Sequence, residues 1–188
     1  MADQGSEGLL SPWLRSRRIA AAKPHLKGRT LDIGCGSGAL SALVEPGRYI
    51  GVDIDDGSLE LARRTYPQHE FRKHYPDEGE LFDTVVSLAV IEHTKEPTLF
   101  LRELARYLKP EAKMVITTPH PSMDVVHDLG SSIGLFSRHA NEEHEELLDR
   151  GKLQAAGERA GLEMVMYRRF LFGANSITVY KRVKEHDA

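Results

Sequence analysis

Between residues 28 and 119 the chain alternates short apolar runs with amphipathic ones, and this rhythm constrains the fold more than any other feature. RTLDIG, RYIGVDID, HEFRKH, LFDTVVSLAV and AKMVITTP read as strands. The fourth has the β-branched content of a strand buried on both faces. SGALSALV, GSLELARRTY and EPTLFLRELARYLKP read as the intervening helices. In the last, Leu99, Leu101, Leu104 and Leu108 fall largely on one side, and a proline follows them. Strands and helices in this order imply right-handed crossovers and a parallel, doubly wound α/β sheet. LEMVMYRRFLF and NSITVYKRV add two strands joined by a short GA turn, an antiparallel hairpin that brings the strand count to seven.

The flanks set the organisation. Residues 1–10 are small and polar and are expected to be mobile, while Ser11-Pro12 signals a helix start. That helix is expected to run to about Ala22, within an N-terminal cap over residues 11–27. After Pro119 the periodicity fails, and residues 120–142, with His120, His127 and His139, form an irregular insert suited to an acceptor site. EEHEELLDRGKLQAAGERAG reads as one helix or two, with a break near Gly151. A chain of 188 residues, 40% hydrophobic, supports one well-buried core, so residues 11–188 read as a single domain.

A net charge of −3 supplies no global field for nucleic acid or anionic membrane, although Arg15, Arg17 and Arg18 and also Arg168 and Arg169 cluster locally. The single cysteine, Cys35, excludes an intramolecular disulfide and multi-cysteine metal clusters and suits a reducing compartment. No run of about 18 apolar residues occurs, so a cytoplasmic protein is expected.

The first strand-to-helix turn carries Gly34, Gly36 and Gly38. In a doubly wound sheet this turn rims the ligand crevice, and glycines there let backbone approach a ligand closely. The same residues satisfy a dinucleotide pattern, which would make the protein an NAD-dependent oxidoreductase. Asp53, at the end of the second strand, serves either ligand through ribose hydroxyls. Asp32 separates the two readings. A dinucleotide site usually keeps an apolar residue there, whereas a carboxylate inside the first strand needs a cation or several donors. A ligand ammonium would supply one.

LDIGCGSG, YIGVDID, FDTVVSLAVIEHT and LKPEAKMVITTP, in this order over residues 28–119, resemble class I S-adenosylmethionine-dependent methyltransferases. The resemblance implies a Rossmann-like fold and S-adenosylmethionine as cofactor, with S-adenosylhomocysteine as product. It places Asp32, Gly34, Cys35, Gly36 and Gly38 at the methionine end, Asp53 on the ribose, Ile54 beside the adenine, and Ser87 and Leu88 against the cofactor through backbone groups. The acid that such proteins often carry after the third strand is replaced here by His74 or Tyr75. SPWLRSRR is similar to a helix that offers an arginine to the cofactor carboxylate in ubiquinone-biosynthesis O-methyltransferases, so Arg15 or Arg18 would fill that role.

Glu92-His93 follows the fourth strand, which makes His93 the candidate base or acceptor-positioning residue; the alternative is that the pair orders its loop. The same O-methyltransferases carry a further glutamate for a divalent ion where this chain has Ala89, so no metal is expected. The resulting expectation is an O- or N-methyltransferase, monomeric or homodimeric, acting on a small molecule, with no nucleic-acid or membrane partner. RNA or protein methylation and a non-catalytic cofactor-binding module are the alternatives.

Overall fold

The computed structural model describes residues 11–120 and 148–183. The proposed mobile residues 1–10, and the insert apart from His120, lie outside them. The described elements are α1 (Ser11–Ala22), β1 (Thr30–Ile33), β2 (Tyr49–Val52), α2 (Asp56–Thr65), β3 (Glu70–Arg72), β4 (Phe82–Leu88), α3 (Pro97–Ala105), β5 (Leu108–Pro119), α4 (Arg150–Arg159), β6 (Leu162–Phe170) and β7 (Asn175–Arg182). The strands form one sheet in the order β3-β2-β1-β4-β5-β7-β6. β1 to β5 run parallel, and β7 pairs antiparallel with both β5 and β6.

Both faces are covered, as the apolar central strands require. On one, Leu31, Ile50, Val85, Met114 and Ile116 pack with Leu101 and Leu104 of α3 and Leu153 of α4. On the other, Tyr49, Val86, Val115, Ile177 and Val179 pack with Ala21 and Ala22 of α1 and Leu59 and Ala62 of α2. The α2 start follows local chemistry: Asp55 caps the helix by accepting from the Ser58 N–H at 2.8 Å.

Two readings of the sequence are corrected. SGALSALV is a 3-10 helix over Ala39–Leu43, entered from Gly38 in a left-handed conformation with no side-chain cap. Only seven residues separate Gly38 from Pro46, too few for a stable α-helix to develop after that entry. The hairpin turn covers four residues, Leu171–Ala174, because Leu171 and Phe172 themselves adopt positive φ, 54° each. Of the helical reading over residues 142–161, residues 142–147 lie outside the described residues; Leu148 and Asp149 are not helical, and α4 starts at Arg150, capped by Asp149 accepting from the Lys152 N–H.

Candidate cofactor site

The parallel strands deliver β1, β2 and β4 with their carboxyl ends at one edge, where the crevice of a doubly wound sheet opens. A cavity of about 220 Å³ lies there, walled by Arg15, Arg18, Asp32, the Gly34–Gly36 loop and Leu88–Ala89, with Ile19, Ala39 and Leu40 closing it. A wider groove of about 880 Å³ lies at the opposite edge near Arg102, Glu111 and Arg182. Its Arg182 is engaged with the Ala105 carbonyl and its Lys181 with Glu111.

Asp32 is buried in β1, 3% exposed, and accepts a hydrogen bond from the Tyr49 hydroxyl at 2.7 Å. Burial raises its pKa to about 7; the Tyr49 hydrogen bond works against this and the neighbouring Asp53 charge adds to it. Tyr49 was not singled out in the sequence. It reaches Asp32 because Gly51, the residue paired with Asp32, presents no side chain; a Cβ there would stand 3.0 Å from the Tyr49 ring and 2.8 Å from Cys35 Sγ.

Asp53 holds the glycine loop. Its Oδ2 accepts from the Gly36 N–H at 2.7 Å and its Oδ1 from the Asp55 N–H at 3.0 Å. A Cβ on Gly36 would meet nothing within 4 Å, so the backbone there borders open space that a ligand could fill. Gly38 stands back from the cavity wall; a Cβ on it would meet the Phe71 ring at 2.6 Å, so it serves the packing of the loop. Burial pushes the Cys35 thiol well up, making it a neutral wall residue rather than a nucleophile.

Other predicted residues distribute unevenly. Arg15 lines the cavity and lies 3.5 Å from Ser37 Oγ, whereas Arg18 turns its Nε to Asn175 Oδ1 at 2.9 Å. Leu88 lines the cavity; Ser87, one residue earlier, is fully buried in β4. Ile54 is 86% exposed beyond β2. Tyr75 is not brought to the cavity: its ring stacks on Tyr107 at 6.0 Å, and Tyr107 bonds the start of β4 at the amino edge. The short β3 and the immediate return toward β4 carry it there. His74 is exposed on the same connection.

His93 ends a 3-10 turn over Ile91–His93 and is exposed, whereas Glu92 beside it is buried. Among the described residues no three His, Cys, Asp or Glu side chains gather into a metal site.

A buried carboxyl group, an arginine and bare glycine backbone around one cavity fit the amino-acid end of S-adenosylmethionine, and on this sheet they define a class I S-adenosylmethionine-dependent methyltransferase. The chain belongs to the methyltransferase domain family, whose model matches residues 9–167. It is similar to the ubiquinone biosynthesis O-methyltransferase of Ruegeria pomeroyi, 28% identical over an alignment of 172 positions that covers 83% of this chain and 68% of that one. The enzyme of the same name from Azorhizobium caulinodans is 38% identical over an alignment of 104 positions that covers 50% of this chain and 41% of its own length. The fold matches magnesium protoporphyrin IX methyltransferase of Synechocystis PCC 6803, solved with S-adenosylhomocysteine, at a TM-score of 0.65 and 19% identity over 92% of this chain and 83% of that one. No helix among the described residues is long and apolar enough to cross a membrane.

Proposed function

We propose that this enzyme transfers a methyl group from S-adenosylmethionine to an oxygen or nitrogen atom of a small-molecule acceptor. The observation that carries this reading is the meeting of Arg15, Asp32 and the Gly34–Gly36 loop at one cavity. Arg15 takes the cofactor carboxylate and Asp32 its ammonium; Asp53, already anchored to Gly36, takes the ribose hydroxyls, with Ile54 flanking the adenine. Relatives named for O-methylation support a small-molecule acceptor.

S-adenosylmethionine supplies a methyl group on a positively charged sulfur, a good leaving group. The residues of this chain are then left to align the partners, exclude water and take up the acceptor's proton. Titration calorimetry with S-adenosylhomocysteine tests the reading. Asp53→Ala removes both the ribose ligand and the Gly36 anchor, and is expected to weaken binding roughly tenfold to a hundredfold. Absence of binding by the unaltered protein would overturn the assignment.

A further inference from the structure

Arg18 lines the cavity without a part in the cradle described so far. It stands on α1 three positions after Arg15, half-buried where Arg15 is exposed, on the same cavity as Asp32 and the Gly34–Gly36 loop. Burial lowers its pKa, with the Glu92 charge opposing that shift and the Arg15 charge adding to it. Its Nε donates to Asn175 Oδ1 at 2.9 Å. Among the described residues it forms no ion pair, and its two Nη groups donate to no acceptor. Neither Nη is a buried atom left without a partner, so both are accessible on a residue that lines the cavity. They form a planar fork of donors matched to a carboxylate.

Asn175 is suited to aiming that fork. It opens β7, is 2% exposed, and is paired across the sheet with Pro119 of β5 on one side and Phe170 of β6 on the other. An acceptor on a strand held from both sides gives the long arginine side chain a fixed point. Its amide oxygen is also neutral. A carboxylate at this place would neutralise the guanidinium before any ligand arrived, whereas an amide fixes the Nε edge and leaves the charge for an anion at the Nη edge.

We propose that Asn175 is a positioning residue: by holding Arg18 Nε, it aims the Nη pair at the carboxylate of the cofactor's amino-acid end, which Arg18 takes together with Arg15. This rests on the methyltransferase reading above and adds to it a residue from the far end of the chain. A carboxylate offers about four lone-pair sites, enough for both arginines. The entropy of confining the Arg18 side chain is lost when the chain folds rather than when the cofactor binds, so the contact gains affinity from being prepared in advance.

The test compares S-adenosylhomocysteine with its decarboxylated form, the same molecule without the carboxylate, by titration calorimetry on the full chain. The unaltered protein is expected to prefer S-adenosylhomocysteine by about tenfold or more. Asn175→Leu, close in shape but without the acceptor, is expected to weaken S-adenosylhomocysteine about tenfold and to leave the decarboxylated form within about threefold. Arg18→Gln is expected to do the same, and the double variant to stay within about threefold of Arg18→Gln, because Asn175 acts through Arg18. No preference in the unaltered protein, equal weakening of both ligands by Asn175→Leu, an unchanged S-adenosylhomocysteine affinity, or additive losses in the double variant would each overturn the proposal. Nitrogen NMR of the unaltered protein decides the matter even if the β7 variant fails to fold. The Arg18 Nε–H is expected to be protected from exchange before any ligand is added, and the Nη hydrogens to become protected with S-adenosylhomocysteine but not with the decarboxylated form. An unprotected Nε–H, or Nη hydrogens indifferent to the carboxylate, would overturn it as well. Failure to bind S-adenosylhomocysteine at all would instead overturn the methyltransferase site itself.

Discussion

At the scale of single residues, Asp32 links the cradle to pH. With its pKa raised to about 7, it stays protonated in the folded chain through a range where the unfolded chain has already lost that proton. The folded state then binds more protons, so this group's contribution to stability falls as pH rises from about 4 to about 7 and levels off above. A cofactor ammonium favours the ionised form. Affinity for S-adenosylhomocysteine is therefore expected to rise between about pH 6 and about pH 7.5, and Asp32→Asn to flatten that rise. Calorimetry across this interval checks both, and an unchanged slope in the variant would assign the pH dependence to another group. The need for a partner at Asp32 was legible in LDIG. That the partner is Tyr49 was not, because the pairing depends on strand register and on the space left by Gly51.

At the scale of elements, β2 carries this arrangement. Gly51→Ala would bring a Cβ to 2.8 Å from both Cys35 Sγ and the Phe71 ring. It is expected to cost about 1–3 kcal/mol in urea unfolding and to weaken S-adenosylhomocysteine binding as Tyr49 shifts. The β6–β7 turn holds the opposite opportunity. Phe172 is fully exposed in a left-handed conformation that bulky residues adopt at a cost. Phe172→Asn, at a position with no packing to lose, is expected to stabilise the protein by about 0.5–1 kcal/mol, seen as a higher urea midpoint at unchanged slope.

The parallel strands and α2 and α3 were readable because their apolar periods are set by burial, and α1 from the Ser11-Pro12 helix start. The turn was not, since nothing in LFGA announces positive φ at Leu171 and Phe172. Neither was the amino-edge position of Tyr75, which follows from the path of a connection without regular structure. Glu92 was visible only as a member of a pair with His93. Which of the two is buried is decided by the 3-10 turn that carries them.

At the scale of the whole molecule, cofactor binding and stability are one equilibrium. Saturation with S-adenosylhomocysteine at a hundredfold excess over Kd is expected to add about 2.7 kcal/mol, a rise in Tm of roughly 5–10 °C for a chain of this size. Scanning calorimetry with and without the ligand reads this directly, and no shift would contradict the calorimetric binding expected above.

The bond from Arg18 to Asn175 spans 157 positions of sequence. β7, which Asn175 opens, must enter between β5 and β6 after both have been synthesised. A nascent chain can therefore hold its glycine loop, Asp32 and Asp53 well before it can fix the arginine wall. The step that completes the cavity is a late, long-range docking of the kind that slows folding. During synthesis on the ribosome, cofactor capture should lag behind the appearance of the loop that first contacts it, until the hairpin has closed.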